Sequence, residues 1–232
     1  RKFIAEKYWN RVKLYSGWMQ RMPFIRMIAV CNNLSYDNTH EKSDIDLFVV
    51  AEPGHLWTAR FFMTALLHFF GVRRHGRHVI GRFCLSFFVT QNKLNIGELQ
   101  IGSEDPYLAY WTQTLTPIYG ESMYEEFKKM NELWLKEKYG LSFQDFSRRH
   151  LYFLPESRFK RFLETIFGNW FEALLKKTLK KKTLESQQKL GPNPGVIVSD
   201  DILKFHNEDR RQEFLQKWLN CLKRLQASHD TE

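Results

Sequence analysis

The chain has few cysteines, no long apolar run and none of the common phosphate or hydrolase signatures. Its longest apolar stretch, residues 66–72, is short and carries His68. A bilayer-spanning helix needs about 20 apolar residues, so no integral membrane segment is expected. The three cysteines, Cys31, Cys84 and Cys221, are far apart and odd in number. That spacing excludes a zinc-finger pattern and a disulfide framework, and it points to reduced thiols in a cytoplasmic setting. A Walker P-loop, Gly-x-Gly-x-x-Gly, a serine-hydrolase elbow and His-Glu-x-x-His are all missing, which excludes the chemistries those motifs carry. There is no internal repeat and no low-complexity tract. The chain opens on Arg1 rather than Met and without a secretory signal, so a trimmed chain with an upstream domain is expected.

What is present is a globular composition. Of 232 residues, 43% are hydrophobic, enough for a sizeable core. Aromatics are heavy at 16%, with 20 Phe. The formal charge of +9 favours anionic partners: a nucleotide, a nucleic acid or an anionic surface.

Periodicity predicts a lead-in amphipathic helix over residues 1–22, ended by Pro23. Strands are predicted over 24–31, 44–51 and 83–90. A polar loop at 32–42 separates the first two. An apolar helix over 56–70 and a basic turn over 72–82 precede the third. This order gives an α/β (α+β) class: a mixed sheet flanked by helices over 23–119. From Glu121 onward the pattern reads as helical, giving a C-terminal helical domain over 120–232, with a loop at 191–195.

The run Ser43-Asp44-Ile45-Asp46-Leu47-Phe48-Val49-Val50 carries the chemistry. Side chains alternate along a strand, so Asp44 and Asp46 leave one face together. Two aligned carboxylates on an apolar strand repel each other and resist burial. A hard divalent cation such as Mg2+ is the simplest partner, since it prefers carboxylate oxygens.

The first strand ends in Asn32-Asn33, and Asp44-Ile45-Asp46 follows eleven residues later. This register resembles the nucleotidyltransferase superfamily, which includes DNA polymerase beta and the antibiotic-modifying nucleotidyltransferases. The family pattern is a strand, Gly-Ser, a short helix, then Ser-Asp-x-Asp on the next strand. Ser43 to Asp46 match its second half, and Asn32-Asn33 stand where Gly-Ser would be. The resemblance implies a nucleoside triphosphate bound with two Mg2+ ions at three carboxylates. A hydroxyl then attacks the α-phosphate and pyrophosphate leaves. It implies metal and catalytic roles for Asp44 and Asp46. Asn32, Asn33 and Ser43 would lie on phosphate, and Arg73 and Arg74 would hold the phosphate tail. The acceptor is left open between nucleic acid, a protein hydroxyl and a small molecule.

The sequence departs from the family in two places. Asn replaces Gly-Ser, although Asn tolerates left-handed backbone and its amide can donate to phosphate. The third strand, Phe83-Cys84-Leu85-Ser86-Phe87-Phe88-Val89, offers no third carboxylate. Glu98, Glu104 and Asp105 are the acids of the segment after it. The rival reading is therefore a module that keeps the fold, lacks the chemistry, and binds nucleotide, nucleic acid or a protein partner.

Arg73, Arg74, His75, Arg77, His78 and Arg82 form a basic cluster suited to anions. Tyr107, Tyr110 and Trp111 have base-stacking chemistry, but their spacing reads better as a packed helix face. Lys176, Lys177 and Lys180 to Lys182 read as a solvated helix end. His206 and Asp209 form a weak acid–base candidate, better explained as a helix start capped by Asn207.

Overall fold

A computed structural model describes residues 1–143, 157–181, 183–185, 195–205 and 209–229, with side chains described through 225. Chain order runs α1 (Lys2–Met19), β1 (Ile25–Cys31), β2 (Ile45–Ala51), α2 (Leu56–Phe69) and β3 (Phe83–Thr90). Then come α3 (Pro106–Gln113), β4 (Thr116–Tyr119), α4 (Glu121–Tyr139), α5 (Arg158–Ile166) and α6 (Asn169–Leu175). The hairpin β5 (Val196–Val198) and β6 (Ile202–Phe205), and then α7 (Arg211–His229), complete the series. The class is α+β, as the sequence predicts, and no helix among the described residues is long and apolar enough to cross a membrane.

The six strands form one mixed sheet in the order β4-β1-β2-β3-β6-β5. β1 runs antiparallel to both β2 and β4, while β2 and β3 are parallel. The parallel step follows from α2, which carries the chain across the sheet between β2 and β3. β6 pairs antiparallel with β3, and β5 with β6.

Both faces of the sheet are covered, which explains why its strands are nearly continuously apolar. One face of β1 and β2, with Ile28, Val30, Leu47 and Val49, packs under α1, α2 and α6 against Trp9, Val12, Trp57 and Met63. The opposite face, with Met27, Ala29, Phe48 and Val50, packs under α3 and α4 against Leu108, Trp111, Tyr124 and Phe127. Phe48 is edge-on to Trp111 and Phe87 at ring separations of 5.4 and 5.1 Å. By alternation, Asp46 belongs to this second face.

Gly120 sets the entry to α4. Its φ is +82°, and a Cβ there would sit 2.0 Å from the Arg26 carbonyl oxygen of β1. Only glycine lets α4 approach the sheet this closely.

Two sequence expectations change. The helix over 1–22 ends at Met19. The C-terminal part is not purely helical, because residues 196–205 form a hairpin that extends the sheet beyond β3. Those strands are three and four residues long, too short for a period-two pattern to stand out. The expected loop at 191–195 lies outside the described residues except for Gly195.

Candidate functional site

The site begins where β1 ends. Asn32 opens a short 3-10 turn, Asn32–Leu34, with φ +57°. Asparagine is among the few side chains that tolerate this left-handed conformation. The turn lets the Asn32 amide Nδ2 donate to Asp46 Oδ2 at 2.9 Å. The Tyr107 hydroxyl, from α3, approaches Asn32 Oδ1 from the other side at 3.4 Å.

Asp46 lies in register with two cysteines. Cys31 faces it across the antiparallel β1–β2 pair, and Cys84 across the parallel β2–β3 pair. Asp44 sits just before β2 begins. One ligand atom from each of Asp44, Asp46 and Cys84 lies within 4.8 Å of the others. The two carboxylates therefore share one side of a central strand, beside the loop that follows β1. Arg74 reaches over from the basic turn, donating from Nη1 to Asp44 Oδ2 at 2.8 Å and to Cys84 Sγ at 3.4 Å.

The electrostatics follow from burial and like charge. Burial first, and then Asp44, push Asp46 up to about 6, while Asn32, the Cys84 thiol and Arg74 pull it back. Burial and Asp46 push Cys84 up to about 12. The same causes raise Cys31 well above the ordinary thiol range. Both thiols are protonated at neutral pH, and Asp46 is an acid held ionised against its surroundings.

The donor set fits a divalent cation. Two converging carboxylates offer the oxygen chemistry that Mg2+ and Mn2+ require, and the third position carries a sulfur that would ligate a softer ion such as Zn2+ only as the thiolate. Cys84 stands beside the pair where no carboxylate is present on β3. The acids of the following segment are engaged elsewhere. Glu98 pairs with Lys93 at 2.8 Å, Glu104 interacts with Tyr139, and Asp105 caps α3 through Leu108 N at 2.9 Å.

The structure brings some expected site residues together and not others. Asp44, Asp46, Asn32 and Arg74 converge. Asn33 lines the adjoining cavity, its Oδ1 accepting from the Tyr36 hydroxyl at 2.9 Å. The Ser43 hydroxyl turns to His40, 2.9 Å from its Nδ1, and so closes the loop rather than facing the cavity. Among the described residues Arg74, not Arg73, pairs with the carboxylates. The charge of Arg73 instead bears on Arg60 of α2.

A cavity of about 320 Å³ opens beside Asp46. Its lining takes in Asn32, Asn33 and Asp46 from the carboxylate side, and Phe87, Trp111, Tyr107, Lys204, Asp209, Arg211 and Phe214 besides. Tyr107 and Phe214 lie 5.0 Å apart with their rings tilted by 30°. Tyr107 is thus a cavity wall as well as part of the α3 packing face.

The sequence reading missed Lys204, Arg211 and Phe214. A signal existed: Lys204 interrupts the apolar run Ile202-Leu203-Lys204-Phe205. Its significance depends on β6 docking beside β3, where Lys204 lies opposite Phe87. Asp209 is engaged by Arg211. It accepts from Arg211 Nη2 at 2.6 Å, and although burial opposes it, the Arg211 hydrogen bonds pull it down to about 2. His206 and Asn207 lie outside the described residues.

In comparison with known proteins, no family model, no curated protein and no solved structure matches this chain.

Proposed function

We propose that the chain is a divalent-metal-dependent nucleotidyltransferase, moving a nucleotide from a nucleoside triphosphate to an acceptor hydroxyl. One observation carries the reading. Asp44 and Asp46 converge at the start of a central strand, held by the Asn turn that ends the preceding strand and bordered by a ligand-sized cavity. The parallel strand β3 beside β2 adds support.

In this reading Asp44 and Asp46 hold the cation, Mg2+ by the sequence resemblance. A bound cation would neutralise phosphate charge and stabilise the oxygens of an in-line displacement. The chain's own residues position the parts. Asn32 orients Asp46, and Arg74 braces Asp44. Phe87, Trp111 and Tyr107 exclude water from the cavity and present aromatic surface to a nucleoside. The exposed turn from Arg73 to Arg82 suits an anionic acceptor such as a nucleic acid, with a protein hydroxyl as the other candidate. A cytoplasmic location belongs to the same reading, consistent with three free cysteines.

A second reading is favoured by a specific pair of observations. Cys84 takes the third acidic position, and Arg74 already pairs with Asp44. Both suit a nucleotide-binding module without transfer chemistry. Incorporation of label from α-labelled triphosphates into candidate acceptors separates the two. The transferase reading expects incorporation that Asp46→Asn abolishes while the fold persists. Metal-dependent triphosphate binding by wild type, without incorporation into any acceptor class, would leave the binding module.

A further inference from the structure

Lys204, Asp209 and Arg211 of the cavity lining belong, with Asp105, to a buried charge cluster that the carboxylate pair does not explain. Lys204, Arg211 and Asp105 are 5%, 5% and 0% exposed. Arg211 is fully engaged. It donates to both oxygens of Asp209 at 2.6 to 3.0 Å, to the Leu99 carbonyl at 2.8 Å and to Asp105 at 3.1 Å. Lys204 is not. Among the described residues its ammonium makes one ion-pair contact, to Asp209 at 3.8 Å, too long for a good hydrogen bond. A buried ammonium carries three donors, and leaving them unmet is costly. Arg211 holds Asp209 and Asp105 to itself, so neither acid is well placed to saturate the lysine. Lys204 lines the same cavity as Asp46.

We infer that Lys204 is an oxyanion-binding residue of this cavity and takes a phosphate group of the nucleotide. The inference rests on the nucleotide reading above. Arg211, Asp209 and Asp105 act as its scaffold, fixing the start of α7 against α3 and keeping the lysine at the wall. The division of labour is electrostatic. The carboxylates repel a bare polyanion and accept phosphate only through a cation, whereas Lys204 contacts phosphate directly. Burial, and then Arg211, lower Lys204 to about 8, so it remains largely protonated at neutral pH, and a bound phosphate would hold its proton more firmly. The groups facing it are Asp209 and Arg211, with Asp105 behind them.

Calorimetry with Mg2+ and three probes tests this: inorganic tripolyphosphate, adenosine triphosphate and adenosine. Lys204→Met is expected to weaken tripolyphosphate and adenosine triphosphate about tenfold and to leave adenosine unchanged. Lys204→Arg, which keeps the charge, should retain most of the binding. Unchanged phosphate affinity in Lys204→Met overturns the assignment and leaves the nucleotide reading standing. An equal loss for adenosine means the lysine is structural, and also overturns it. No binding of any probe by wild type removes both readings. Should the variants fail to fold, acetylation of Lys204 in the wild-type chain decides the matter. Tripolyphosphate should slow modification by acetic anhydride, mapped by mass spectrometry, and an unchanged rate overturns the inference.

Discussion

The Asn32 carboxamide donates to Asp46 Oδ2 at 2.9 Å, joining the turn after β1 to the acidic pair of β2. The same residue adopts φ +57°, so its backbone and side chain serve the site together. Asn32→Gly should remove the hydrogen bond while keeping the turn. Asn32→Ala should remove the bond and also strain the turn, costing about 1 kcal/mol more than glycine. Chemical denaturation of both variants measures the difference. Calorimetry should show weakened Mn2+ binding in both. Equal stability of the two variants would argue against strain at this position.

Asp46 gives the cation-free protein a distinct pH dependence. Its folded value, about 6, lies above the unfolded value. The folded state therefore holds the extra proton between roughly pH 4 and 6, and stability falls as pH rises through that window. The cost persists above it. In chelator at pH 8, Asp46→Asn should stabilise the fold, by about 1–2 kcal/mol given the size of such shifts. Excess divalent cation should reverse the ranking by binding the folded wild type. Thermal melts across pH, with and without cation, read both effects.

Cys84 occupies the place of a third acid, so Cys84→Asp tests the metal assignment by addition. A third carboxylate beside Asp44 and Asp46 should tighten Mg2+ or Mn2+ binding by about tenfold and destabilise the metal-free protein through like-charge repulsion. Calorimetry and melting in chelator should move in opposite directions. Weaker cation binding in the variant would mean the pair does not coordinate from this face.

Gly120→Ala should be severe although the residue is remote from the carboxylates. The added Cβ meets the Arg26 carbonyl oxygen at 2.0 Å, and φ is +82°. The loss should exceed about 2 kcal/mol, since close contact and left-handed backbone strain act together. Urea denaturation measures it. A loss under about 1 kcal/mol would show that α4 can shift away from β1.

The hairpin at the far edge of the sheet explains why only part of the site was legible beforehand. Asp44 and Asp46 were readable because the period of two is a local property: one strand, two residues apart, one face. The Asn turn was readable for the same reason, lying directly between two strands. The strands β1, β2 and β3 stood out because both of their faces are covered and their sequences are continuously apolar. The role of Ser43 was not settled by spacing, since its hydroxyl closes onto His40 within the same loop.

The sequence by itself determined the α+β class, the central strands and the shared face of the acidic pair, because each depends on near neighbours in the chain. Tertiary structure decided the rest. It set Cys84 beside Asp46 through the parallel crossing over α2, and chose Arg74 over Arg73 as the partner of Asp44. It also returned Lys204, Arg211 and Phe214 to the cavity from more than 150 residues away in the chain. Such contacts arise from burial of the sheet edge and of α7 against α3. Those forces act between segments whose local patterns carry no record of one another.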